Sequence, residues 1–347
     1  MNSPMFAIKD NSARSPRTKP GKPRRIDVHH HVASPGWIDA MQPRGKLRGP
    51  WLKWSAAKAV ENMEHDGVAA AVVSITTPGV WFGDVASARK LARECNEYAA
   101  RLAADHPGRF GSFATLPMPD IEGSLAEIEY VLDVLKAEGI CMFTSYGAHT
   151  DHGDRWLGDA VFMPVLEELN RRKAVVYVHP TSPCCCSQCL PYLLSSIIEY
   201  GTDTTRAIAS LVFTGASRRF RNIRFIFSHA GGTMPFLIER FFQQKRSQDL
   251  APGQLTKQLT KSELSRLDPL HEVRRFYYDT AQATHVAPMS ALTKVVPVSQ
   301  IVFGTDFPYR TIAEHVEGLK KSGVFSRSDL RAIDRENALR LLPRFGA

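Results

Sequence analysis

Along this chain, short and nearly continuous apolar runs alternate with longer stretches in which apolar residues recur every three or four positions. The first pattern is that of strands buried on both faces and the second that of amphipathic helices. Their alternation predicts repeated strand–helix units around a parallel sheet. Eight runs predict strands: Ile26–His29, Ala69–Ile75, Phe110–Thr115, Ile140–Thr144, Ala174–His179, Ile223–His229, Phe276–Thr280 and Ile301–Gly304. Between them the periodicity predicts helices over 56–66, 86–105, 123–137, 162–172, 197–214, 234–245 and 289–295, with several further turns from 312 to 342. Ser124 and Glu127 stand three apart near the start of the third helix, the spacing of a capping box. Eight strands are what a closed (β/α)8 barrel of the TIM type requires. An open doubly wound sheet is the competing arrangement.

With 347 residues and 44% hydrophobic content the chain can bury a large core, and no Pro/Gly linker divides it. The expected organisation is a basic tail over 1–24 followed by a single barrel domain over 25–347. A net charge of +9 would suit a nucleic-acid partner, but residues 1–25 hold seven basic residues against Asp10 alone. That leaves only +3 for the rest, so the charge reads as a solvated tail and no nucleic-acid partner is expected. No run approaches the ~18 apolar residues that would span a bilayer, and the start lacks the apolar centre of a secretory signal. The expectation is a cytoplasmic protein without a membrane partner. Six cysteines in this length make no disulfide framework, and Cys184, Cys185, Cys186 and Cys189 lack the distant second pair of a structural zinc site.

The chemistry concentrates where apolar runs end. In a strand, His29 and His31 point the same way while His30 points to the other side. His179, His229 and Asp306 each close or follow a later run, and barrel enzymes build their sites at that end of their strands. The barrel is preferred over the open sheet because only a closed sheet lets the first, fifth, sixth and eighth strands converge. Histidine and carboxylate donors in one pocket suit a hydrolytic or lyase metal centre. Asp27 is read as lying opposite His29 and as structural. Asp279, ending the seventh strand, is read as a supporting or rim residue, and His149 and His152 follow the fourth strand closely enough to reach the pocket. Gly231 and Gly232 after His229 allow backbone to approach a ligand.

Asp-x-His-x-His at 27–31, His179-Pro180, Ser228-His229-Ala230-Gly231-Gly232 and Gly304-Thr305-Asp306-Phe307-Pro308, in that order, resemble the amidohydrolase superfamily. Within it they resemble the aminocarboxymuconate-semialdehyde decarboxylase branch, over nearly everything from residue 25 onward. The stretches 77–84 and 178–181 are most similar to 6-methylsalicylate decarboxylases. The resemblance implies a distorted eight-stranded barrel holding one divalent metal, zinc in most members and manganese in some aromatic-acid decarboxylases. It implies His29, His31, His179 and Asp306 as ligands and His229 as the catalytic histidine. It also implies a homodimer in which Arg240 reaches the neighbouring subunit's site to hold a substrate carboxylate, with Arg48 as a second candidate for that task. One departure matters. Resorcylate-type members carry a glutamate three residues after the catalytic histidine, where this chain has Gly232, and a glutamate at the first ligand position, where this chain has His29. Histidine there favours zinc.

The expected activity is nonoxidative decarboxylation of a hydroxylated aromatic or unsaturated carboxylic acid. His229 or Asp306 would supply the proton that the ring carbon accepts. Trp81, Phe82, Tyr146 and Phe307 would wall the ring. The alternative is a hydrolase that uses the same centre to activate water against a lactone, amide or carbon–carbon bond; a metal-binding scaffold without catalysis is the third reading.

Overall fold

The computed structural model describes residues 24–45, 47, 51, 54–147, 153–186, 189–246 and 261–346. The expected tail, Arg24 apart, lies outside them, as do Arg48, His149 and His152. Ten strands follow one another: β1 (Arg25–His31), β2 (Val68–Ser74), β3 (Phe110–Thr115), β4 (Gly139–Phe143), β5 (Ser145–Tyr146), β6 (Arg155–Trp156), β7 (Val175–His179), β8 (Arg224–Phe227), β9 (Tyr277–Asp279) and β10 (Ile301–Val302). β5 and β6 pair with each other as a small antiparallel ribbon. The other eight lie side by side in parallel in the order β1-β2-β3-β4-β7-β8-β9-β10. The ring closes through the His30–Phe307 bridge, with Val28 N–H donating to Phe303 O (3.0 Å) and His31 N–H to Phe307 O (2.7 Å). All eight expected barrel strands are present.

Inward-facing side chains fill the barrel: Ile26, Val28, Ala70, Val72, Phe113, Cys141, Tyr177, Ile226 and Val302, with Leu341, Leu342 and Phe345 packed against them. Tyr177 stacks flat on Phe113 with ring centroids 5.3 Å apart. A second apolar layer between strands and helices takes the opposite parity, Val176 and Val178 for example. Both layers are buried, which is why the strands read as unbroken apolar runs.

β1 breaks the alternation. Its pairing with β2 steps from Asp27 opposite Ala71 to His30 opposite Val73, three residues against two, which is a bulge. Strict alternation from Ile26 and Val28 would send His30 into the barrel and group Asp27 with His29. The extra residue instead puts Asp27 and His30 together, Oδ2 to Nδ1 at 3.1 Å. Asp27 also accepts hydrogen bonds from Thr305 Oγ1 (2.6 Å) and Thr305 N (3.1 Å), tying β1 to the segment after β10. Its structural role is thereby explained.

Two expectations need correction. The helix over Ile121–Asp133 starts before Ser124, and its N-cap is Asp120, which accepts the Gly123 N–H at 3.2 Å. Ser124 and Glu127 lie buried inside it, Glu127 bound by Arg93 and Asn96 (both 2.8 Å), so no capping box forms there. Capping boxes occur instead at Thr311/Glu314 and Ser326/Asp329. The run at 223–229 also overreaches: β8 ends at Phe227, and His229 sits in a tight turn beyond it. Short helices over Pro35–Met41, Ala216–Arg219, Lys261–Ser265 and Pro269–Val273 were not expected, being too brief to show a period.

Candidate metal centre

Four side chains meet at the carboxyl ends of the barrel strands: His29 and His31 from β1, His179 from β7 and Asp306 just past β10. One donor atom from each lies within 4.8 Å of every other. All four are buried, none more than 4% exposed. Parity explains His179, which shares the inward face of β7 with Val175 and Tyr177; the bulge does the same for His29 and His31.

Each imidazole has its Nδ1 engaged on the side away from the centre. His29 Nδ1 binds Asp279 Oδ2 at 2.8 Å, His31 Nδ1 the Ser74 carbonyl at 3.3 Å, and His179 Nδ1 the Pro180 carbonyl at 2.8 Å. Carbonyl and carboxylate oxygens accept, so each Nδ1 carries a proton and each Nε2 faces the centre: His31 and His179 offer a lone pair there, and His29 does once it gives up its second proton. His29 Nε2 lies 3.2 Å from His31 Nε2, and Asp306 Oδ1 lies 3.2 and 3.0 Å from these two. Donors bound at ~2.0–2.2 Å to one ion stand about 3 to 3.4 Å apart, so these three donors fit a divalent cation, with the His179 donor within 4.8 Å of each to complete the set. Asp306 Oδ1, buried with no hydrogen-bond partner, is the atom such an ion would satisfy.

The surrounding charges prepare these groups. Burial pushes His31 and His179 below the usual imidazole range, which favours the neutral ligand form. Burial also resists charge on His29, but Asp279 and Asp306 on its two sides outweigh it and lift the ring to about 10. Burial works against ionising Asp306 as well. The charge on His29 and the imidazoles of His229 and His31 close to its oxygens overcome it, holding the carboxyl well below its ordinary value.

His229 adopts φ +52°, and its N–H donates to Asp279 Oδ1 at 2.9 Å. Its Nε2 lies 3.4 Å from Asp306 Oδ2, while its Nδ1 is buried without a partner. Asp279 therefore holds a ligand ring with one oxygen and the His229 turn with the other, and it accepts the Tyr177 hydroxyl too (3.1 Å). Gly232 explains the departure noted above. Its φ is +65°, and a Cβ there would collide with the Gly201 carbonyl, so no glutamate fits three residues after His229.

The aromatic candidates are distributed differently from the sequence reading. Phe307 stacks on His30, outside the ligand cluster, with centroids 4.5 Å apart. Tyr146 packs against Phe143 and Phe162, and its hydroxyl accepts the Phe143 N–H at 2.8 Å. Phe82 lies under the Arg44 guanidinium at 4.2 Å, and Trp81 is half-buried in the turn after β2. Arg240 is exposed on the helix Met234–Arg246. Apart from Tyr177 below His29 (5.3 Å), the rings that flank the ligand histidines among the described residues are Trp51 and Tyr309 beside His31 (6.4 and 5.9 Å) and Phe143 and Tyr200 beside His179 (6.1 and 6.2 Å). Trp51 Nε1–H donates to the Tyr309 hydroxyl at 2.9 Å. Phe143 closes β4 and Tyr200 rides on the helix Ser195–Phe213, so the ends of predicted elements could have marked both, as could Tyr309, three residues past Asp306; Trp51 had no such signal.

Fold and site together define a class: a (β/α)8 barrel with three imidazoles and one carboxylate converging at its catalytic end, the form of a metal-dependent barrel enzyme. The amidohydrolase family model matches residues 26–344, and the chain belongs to that family. It is 34% identical over 333 residues to the 6-methylsalicylic acid decarboxylase of Aspergillus aculeatus, covering 92% of this chain and 96% of that one. To the 6-methylsalicylic acid decarboxylase of Penicillium expansum it is 32% identical over 329 residues, again covering 92% and 96%. A dihydroxybenzoic acid decarboxylase from a Polaromonas species, solved with bound manganese and the inhibitor 2-nitroresorcinol, shares the fold. Its TM-score is 0.80 at 20% identity, over 92% of this chain and 97% of that one.

Proposed function

We propose that this chain is a metal-dependent nonoxidative decarboxylase, a carboxy-lyase acting on a hydroxylated aromatic carboxylic acid of the 6-methylsalicylate kind. The observation that carries the reading is a buried three-histidine, one-aspartate cluster, each imidazole held through Nδ1 with Nε2 toward the centre, in a chain whose relatives at 32–34% identity are named decarboxylases. His29, His31, His179 and Asp306 would hold the ion; three nitrogens and one carboxylate favour zinc, with manganese as the alternative. When bound, the ion would supply Lewis acidity to the substrate's carboxylate and neighbouring oxygen.

The protein's own groups do the rest. Trp51, Tyr309, Phe143 and Tyr200 confine a flat ring beside the ligand histidines, and the tyrosines stay phenolic because burial raises both Tyr200 and Tyr309. His229 holds Asp306 Oδ2 with Nε2 and keeps Nδ1 uncommitted, so the pair can deliver a proton to the ring carbon that loses carbon dioxide. A homodimer belongs to the same proposal. Thr233 N–H donates to Gly201 O and Thr205 Oγ1, which joins the start of the helix Met234–Arg246 to the middle of the helix Ser195–Phe213. Tyr192, Leu194, Ile197 and Phe236, each at least 65% exposed, lie on these segments and would be covered by a second copy, where Arg240 could reach the partner's site. Cytoplasmic residence fits six free thiols, four of them in the loop after β7.

The test is a screen of hydroxybenzoates, 6-methylsalicylate included, for carbon dioxide release by protein reconstituted with zinc or manganese. In heavy water a decarboxylase leaves deuterium on the ring carbon, and in oxygen-18 water it leaves no label in the product. Oxygen incorporation without carbon dioxide would make the enzyme a hydrolase and overturn the proposal.

A further inference from the structure

Around the centre the backbone takes conformations that non-glycine residues avoid. His229 (φ +52°), Ala230 (+57°), Gln282 (+50°) and Asp306 (+60°) all lie in the left-handed region at the barrel mouth. Each is strained and persists only where surrounding contacts enforce it. Contacts with Asp279 and Asp306 account for His229, but Gln282 plays no part in the reaction described so far.

Gln282 is held from behind. Its backbone N–H donates to His315 Nε2 at 2.8 Å, and His315 Nδ1 lies 2.9 Å from the Thr311 carbonyl. A backbone N–H can only donate and a carbonyl can only accept, so these two bonds fix the tautomer: the proton sits on Nδ1 and Nε2 accepts. His315 is 2% exposed and rides on the helix Ile312–Lys321, whose first turn is secured by the Thr311/Glu314 capping box. From that anchored backbone, the Gln282 side-chain amide donates to Asp306 Oδ2.

We propose that His315 and Gln282 form a positioning relay that sets the rotation of the Asp306 carboxylate, committing Oδ2 to the Gln282 amide and leaving Oδ1 to face His29 and His31. Without the amide, Oδ2 keeps only the longer contact to His229 (3.4 Å), and the carboxylate turns more freely about its Cβ–Cγ bond. The relay deepens the metalloenzyme reading and rests on it: Gln282 is not one of the four ligand residues, and acts through Asp306. A neutral His315 in this tautomer suits the task, because a protonated ring would oppose the Gln282 N–H with a second donor.

The experiment compares Gln282→Leu, His315→Leu, the double variant and the conservative His315→Gln, whose amide oxygen can still accept the Gln282 N–H. The first readout is independent of turnover: zinc affinity of the metal-stripped protein by chelator competition. Gln282→Leu and His315→Leu are each expected to weaken zinc binding by about tenfold, the lower end for residues that orient a ligand. The double variant should be no worse than the worse single, since both act on one carboxylate, and His315→Gln should recover most of the affinity. On the decarboxylated substrate, kcat should fall about tenfold or more with KM within about threefold. Zinc affinity within twofold of the parent in Gln282→Leu overturns the relay, as does full additivity in the double variant. If the parent protein decarboxylates nothing, the functional proposal fails while the zinc measurements still decide the relay.

Discussion

Replacing Asp279 with asparagine tests the reading of the centre most directly, because the change keeps the shape and alters one charge and one acceptor. Asp279 is fully buried and takes four hydrogen bonds: Oδ2 from His29 Nδ1 (2.8 Å) and Tyr177 Oη (3.1 Å), Oδ1 from the His229 and Ala281 N–H groups (both 2.9 Å). Asparagine satisfies the two backbone groups only with its oxygen on their side, so its NH2 must face two other donors. His29 then relieves the conflict by giving up its Nδ1 proton, which leaves its remaining N–H on Nε2, the atom aimed at the ligand centre. Losing the charge-assisted bond from His29 costs about 1.5–3 kcal/mol of folding stability in the metal-free protein. Losing the tautomer restraint costs about 10–100-fold in metal affinity. Urea unfolding of the stripped protein reads the first effect and chelator competition with zinc the second. Zinc affinity within twofold of the parent would refute the argument that Asp279 holds His29 as a ligand.

The remaining expectations concern proton release, thiol access and backbone shape. With His29 held at about 10 by the two aspartates, and with His31 and His179 pushed down by burial, one proton must leave when an ion takes Nε2. The sign is that affinity rises with pH, by about tenfold per unit between about pH 7 and 9, and levels off above the His29 value; a flat profile by competition titration would contradict it. Burial pushes Cys95 and Cys141 up to about 12, so a thiol reagent at pH 8 should modify at most the four cysteines of the 184–189 loop in native protein and all six after unfolding. Gly232→Ala should destabilise the protein by about 3 kcal/mol, since it adds a Cβ against the Gly201 carbonyl at a left-handed position. A melting temperature equal to the parent's would show that the turn can relax.

The unbroken apolar runs and their spacing were enough to predict eight barrel strands, because parallel strands covered on both faces have no solvent-facing side to encode. The ends of those runs also marked His29, His31, His179, His229 and Asp306, since a polar residue closing a buried strand stands where the barrel opens. Three things depended on the tertiary structure. The β1 bulge decides which histidines of 29–31 enter the barrel, and it is a matter of pairing with β2 and of the Asp27–Thr305 tie, which alternation alone misassigns. The flanking rings of Trp51, Phe143, Tyr200 and Tyr309 come from segments far apart in sequence, so no local pattern announces that they meet. The orientation of Asp306 rests on Gln282 and His315, each ordinary by residue type and placed by long-range contacts. Periodicity records which face of an element is buried; which atoms of distant elements touch is settled only when the barrel closes.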